Sequence, residues 1–109
     1  MARMRYGEMA AWFRVLSHPV RLQLLGMLCQ GERCVGELQA ALHKPQPYVS
    51  QQLRLLRMSR LVACRRCGQF AYYRLADSRA QHVLRRLCPA PPAGCNGSSK
   101  PRVAKAVKR

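Results

Sequence analysis

The chain has 109 residues, 49% of them apolar, which allows one domain with a small hydrophobic core. Its 20 Lys and Arg against 4 Asp and Glu give a net charge of +16, a field that draws polyanions, nucleic acid first, at long range. Glu8, Glu32, Glu37 and Asp77 are too scattered to form a catalytic carboxylate pair, and Ser17-His18 lacks a third triad member, so the chain is expected not to be an enzyme.

Met9, Trp12, Phe13 and Leu16 recur at helical spacing, and Ser17-His18-Pro19 ends this first predicted helix. Pro19 suits the first turn of a second helix, whose Val20, Leu24, Met27 and Leu28 share a face. Val35, Leu38 and Leu42 predict a short third helix, stopped by His43, Pro45 and Pro47. A fourth helix starts near Pro47 and turns Val49, Leu53 and Leu56 inward. Its opposite face is expected to display Tyr48, Ser50, Gln51, Gln52, Arg54 and Arg57. Two strands, 61–66 and 70–75, flank Cys67-Gly68-Gln69, where glycine tolerates the positive φ of a tight hairpin. On this reading Tyr73 and Leu75 lie on one face of the hairpin, Phe70 and Tyr72 on the other. Ala80, Val83, Leu84 and Leu87 mark a fifth helix capped by Asp77 or Ser78.

Residues 1–88 therefore read as one folded domain, mainly α with a β-hairpin, in the order α-α-α-α-β-β-α of a winged helix-turn-helix. Residues 89–109, rich in Pro, Gly and Ser and then basic, read as a mobile tail. No apolar run is long enough to span a membrane and no secretory signal is evident, so a cytoplasmic protein is expected. Its six cysteines then read as thiols, metal ligands or redox sensors rather than structural disulfides.

A recognition helix needs donors and acceptors near its N-terminal end, where it enters the major groove. Gln46, Tyr48, Ser50, Gln51 and Gln52 supply them, since glutamine addresses adenine bidentately and hydroxyls reach phosphates or base edges. Lys44, Arg54 and Arg57 suit the phosphate backbone, and so do Arg65, Arg66 and Gln69 of the hairpin. Double-stranded DNA is the expected partner.

The segments LSHPVRLQLLGMLCQGERCVGELQAAL, PQPYVSQQLRLLRMSRLV and YYRLAD, in that order, resemble the ArsR/SmtB family of metalloregulatory repressors over roughly residues 12–87. The resemblance implies a homodimer paired through the first and last helices. It also implies Tyr48, Ser50, Gln51 and Gln52 in the major groove of an operator, and release by an inducer, often a thiophilic metal or metalloid, sometimes a persulfide. Arsenic-type members carry Cys-x-Cys at the start of the third helix; here Cys34 matches the first thiol and Gly36 replaces the second. Asp77 matches the first ligand of the family's last-helix zinc site, but Arg79 stands in place of a histidine.

Soft ions such as As(III), Cd(II) or Pb(II) prefer thiolates, and Cys34 with Cys88 and Cys95 forms the expected set. Cys29 reads as a small buried hydrophobe or as the partner of a redox pair with Cys88. Cys64 and Cys67 have zinc-knuckle spacing and form a lesser metal-site alternative. A thiol-redox regulator without metal, and a constitutive DNA-binding protein, remain as rival readings.

Overall fold

Each helix starts where a side chain or a proline deals with free backbone N–H groups. The computed structural model describes residues 3–87, beginning with α1 (Tyr6–Leu16) and α2 (Pro19–Cys29). Glu8 opens α1 by accepting from the Arg5 backbone N–H at 3.2 Å, the reciprocal half of a capping box. His18 Nδ1 accepts from Val20 N–H at 3.2 Å, and Pro19 occupies the first position of α2, where its missing donor is no loss.

After α2 the chain forms a two-residue strand, β1 (Arg33–Cys34), before α3 (Val35–Leu42). Glu37 accepts from the Cys34 N–H at 3.0 Å at the start of α3. His43 ends that helix in the left-handed region at φ 56, so three residues suffice to reach α4 (Gln46–Met58). Leu24, Leu25, Leu38, Val49, Leu53 and Leu56 are fully buried between α2, α3 and α4. Each such side chain contributes roughly 1.5–3 kcal/mol relative to exposure.

The hairpin is β2 (Val62–Cys67) and β3 (Phe70–Leu75), antiparallel, with Cys64 opposite Tyr73, Arg65 opposite Tyr72 and Cys67 opposite Phe70. Gly68 turns it at φ 65. Leu61, expected to begin the first strand, instead lies in the core, its N–H bonded to Leu56 O at 2.9 Å. β1 pairs antiparallel with β3, placing Cys34 opposite Tyr72 in a three-stranded sheet of order β1-β3-β2. Tyr73 and Leu75 pack on the main core, whereas Tyr72, Cys34 and Phe70 form a second small cluster.

α5 (Ser78–Leu87) closes the described residues. Asp77 caps it, Oδ1 accepting from the N–H groups of Arg79 at 2.8 Å and Ala80 at 3.3 Å. Ala80 and Leu84 face inward, but Leu87 is 75% exposed and Phe13 on α1 is 51% exposed. No helix among the described residues is long and apolar enough to cross a membrane. The predicted tail of residues 89–109, with Cys88 just before it, lies outside the described residues.

Candidate nucleic-acid interface

Pro45 and Pro47 frame the start of α4 and fix φ there, and Gln46, Gln51 and Arg54 are exposed while Ser50 is partly so. Lys44 Nζ stands 5.9 Å from the centre of the half-buried Tyr48 ring, at the limit of a cation–π contact. Arg57, three residues on from Arg54, is exposed as well. The polar face expected of α4 is therefore present at these positions.

Gln52 is a correction. It is only 7% exposed, and its Oε1 accepts from Arg21 Nε at 3.1 Å, while Arg21 Nη1 donates to Val15 O at 2.9 Å. At about 100° per residue Gln52 falls about 40° from Leu56 on the helix wheel, inside the buried stripe rather than opposite it. Its work is to tie α4 to α2 and to the end of α1. The wheel angle was the signal that could have found this contact.

In the hairpin, Arg65 donates to both carboxylate oxygens of Glu32, Nε to Oε2 at 2.8 Å and Nη2 to Oε1 at 3.0 Å. Its guanidinium also lies 4.9 Å from the Tyr72 ring centre. The hydrogen bonds and charge of Glu32 hold the Arg65 proton more firmly still. Glu32 was not foreseen in this role, because 33 residues separate the pair. Arg66 and Gln69 are exposed and make no side-chain hydrogen bond among the described residues. A groove of about 780 Å³ runs between the two halves of this surface, lined by Gln46 and Ser50 of α4, Arg66 and Gln69 of the wing, and Cys34 and Tyr73.

The thiols are dispersed. Cys34 is 6% exposed, and the Cβ that Gly36 lacks would stand 3.9 Å from its Sγ, so the glycine leaves ordinary contact space beside the sulfur. Cys29 Sγ lies 4.0 Å from Gln81 O, tucked against α5. Cys64 and Cys67 are three residues apart on one strand and so face opposite sides of the sheet, which corrects the zinc-knuckle alternative. Cys88 and Cys95 lie outside the described residues, and among the described residues no three His, Cys, Asp or Glu side chains gather as a metal site. The Asp77 carboxylate is occupied by Arg79, Ala80 and the Trp12 indole, whose Nε1 donates at 3.0 Å. Cys64 has more interesting company: Tyr73, its cross-strand partner, is pushed up in pKa by burial and by Cys64, and drawn back by Arg57 of α4.

Residues 18–63, from α2 through the start of β2, match the family model described as bacterial regulatory protein, arsR family. The chain is 42% identical over 80 residues to a transcriptional repressor SmtB homolog of a Synechocystis strain, covering 73% of this chain. It spans 61% of the length of that relative. It superposes on the transcriptional repressor BigR from Xylella fastidiosa with TM-score 0.73 and 40% identity, covering 80% of this chain and 92% of that one. A homodimeric winged helix-turn-helix DNA-binding domain from Mycobacterium bovis gives TM-score 0.68 at 29% identity, covering 80% and 86%. With the α2–α3–α4 arrangement, the wing and these likenesses in agreement, the chain belongs to the arsR family of bacterial regulatory proteins.

Proposed function

We propose that this protein is a sequence-specific transcriptional repressor that binds double-stranded operator DNA as a homodimer. The observation that carries the reading is the pair of uncommitted side chains Gln46 and Ser50 at the N-terminal half of α4, sharing a groove with Arg66 and Gln69 of the wing, with Gln51 exposed next to Ser50. Such an end of a helix reads base edges, while Lys44, Arg54, Arg57 and the wing arginines hold phosphates. The exposed Tyr6, Phe13 and Leu87 of α1 and α5 supply apolar surface for pairing, as does the homodimeric state of the Mycobacterium bovis domain.

Release from the operator is assigned to thiol chemistry. A thiophilic ion, As(III), Cd(II) or Pb(II), suits a thiolate set to which Cys34 gives one donor and Cys88 and Cys95 the others. Cys34 lines the groove between recognition helix and wing, so its engagement bears directly on the DNA-reading surface. A second reading, oxidation or persulfidation without metal, rests on Cys29, whose Sγ lies 4.0 Å from Gln81 O against α5, the helix that precedes Cys88 in the sequence.

The test is operator binding by the reduced protein, followed by fluorescence anisotropy and titrated with As(III), Cd(II), Pb(II) and polysulfide in turn. Release by the ions, lost in Cys34→Ala, supports metalloregulation. Release by polysulfide alone overturns it in favour of the redox reading, and indifference to every addition leaves a constitutive DNA-binding protein.

A further inference from the structure

A second cavity, of about 870 Å³, lies between α1, the α4–β2 connection and the β3–α5 junction. Its apolar wall includes Met4, Trp12, Val15 and Leu61, and its charged groups are Arg3, Arg60 and Arg79 against Glu8 and Asp77. Arg79 Nε is paired with Asp77 Oδ1 at 3.2 Å, while Glu8, bonded to the neutral Arg5 backbone N–H, keeps its charge and leaves two cations facing one anion. Arg3 and Arg60 have no ion-pair partner among the described residues.

Arg60 is also held in the left-handed region at φ 62, directly after Ser59, the C-cap of α4. Glycine is the relaxed residue at that position, and any side chain there strains the backbone. The guanidinium makes no hydrogen bond among the described residues that would offset the strain. An unmatched cation kept at a strained position, on the rim of a cavity walled by an indole, matches the chemistry of a carboxylate on an apolar body.

We propose that this cavity binds a small amphipathic organic anion, an aromatic carboxylate whose ring lies along Trp12 and whose carboxylate pairs with Arg60 and Arg3. Cavities of about 300–1,000 Å³ hold ligands of this size. The face of α1 proposed above for pairing is not the face that lines this cavity. Glu8, Ala11, Trp12 and Val15 face the cavity, whereas Tyr6 and Phe13, about 340° and thus nearly a full turn apart on the wheel, occupy the other side of α1. The site is separate from the cysteines and from the recognition surface, so it stands or falls independently of the inducer chemistry above.

Isothermal titration of the full-length protein with 2-naphthoate, the neutral 2-naphthylmethanol and inorganic sulfate tests the assignment. The carboxylate should bind once per chain, at least about ten-fold more tightly than the alcohol or sulfate. Arg60→Gly should raise the thermal midpoint by relieving the left-handed strain, yet weaken naphthoate binding about ten-fold or more through loss of a charged hydrogen bond. Arg86→Gln, which removes the same charge from the exposed last turn of α5, should leave the affinity unchanged. Equal binding of the alcohol, unchanged affinity in Arg60→Gly, an equal loss in Arg86→Gln, or no saturable heat at all would each overturn the proposal.

Discussion

Gln51 reaches into solvent, whereas Gln52, one position on, is 7% exposed and accepts from Arg21. The same side chain thus has two physical roles on one helix, and substitution separates them. Gln52→Ala takes the acceptor from Arg21 Nε and leaves only its bond to Val15 O, so chemical denaturation should show a loss of about 1–3 kcal/mol. Its ratio of operator to scrambled-site affinity should stay as it was. Gln51→Ala should keep stability within about 0.5 kcal/mol but give up about 1–3 kcal/mol of that discrimination. A reversed pattern would refute the placement of both residues. On the wing, Glu32 holds Arg65 bidentately, in direct competition with a phosphate. Arg65 is exposed, so solvent screens the pair and it adds little to stability. Glu32→Gln should therefore leave the melting temperature nearly unchanged while tightening operator binding and steepening its salt dependence by about one counterion. An unchanged salt slope would show that Arg65 never meets the backbone.

Among the elements, α5 depends on Asp77 at its first turn. Burial alone would raise the Asp77 carboxyl, but hydrogen bonds from the Arg79 side chain, the Trp12 indole and the backbone N–H groups of Arg79 and Ala80 outweigh it and hold it below the usual carboxylate range. A carboxyl lowered by folding stabilises at pH values above its unfolded value, near 4, and that contribution fades as pH falls through the lower folded value. Asp77→Asn should consequently melt below the native protein at neutral pH, and the two melting curves should converge on acidification; a gap constant with pH would exclude the charge as its source. The other elements show what could be read in advance. The five helices and the hairpin follow from apolar spacing at 3.6 and 2 residues, because burial of Leu24, Leu38, Leu53, Leu84 and Tyr73 is what shapes them. β1 escaped, because a two-residue strand carries no alternation and exists only through its pairing with Tyr72 and Tyr73. Gln52 was misplaced because a polar residue was assigned by its chemistry and not by its wheel position. Glu32 was invisible because ion pairs 33 residues apart leave no local pattern. The surface groups of α4 and the wing were legible, since they stand where helix and turn periodicity put them; the thiols were not, since their grouping depends on tertiary contact.

At the scale of the molecule, the charge sets a conflict between assembly and solubility. Each chain carries +16, so two copies pair against their own repulsion, and the surface available to offset it is apolar: Tyr6 at 88% exposure, Phe13 at 51% and Leu87 at 75%. If these side chains hold the proposed homodimer, Phe13→Asp with Leu87→Asp should yield monomers in sedimentation and abolish binding to a two-half-site operator, with each monomer still folded by circular dichroism. Salt then acts in opposite directions on the two associations. Screening shortens the reach of the like charges to about 10 Å at 0.1 M, so dimerisation without DNA should tighten as salt rises. Operator binding releases counterions from the phosphates, so between about 50 and 200 mM salt it should weaken by orders of magnitude. Sedimentation equilibrium and anisotropy over the same salt series measure the two separately. Dimers that loosen with salt would mean that ion pairs rather than Phe13 and Leu87 hold the interface, and the sparse acids Glu8, Glu32, Glu37 and Asp77 would become the residues to substitute next.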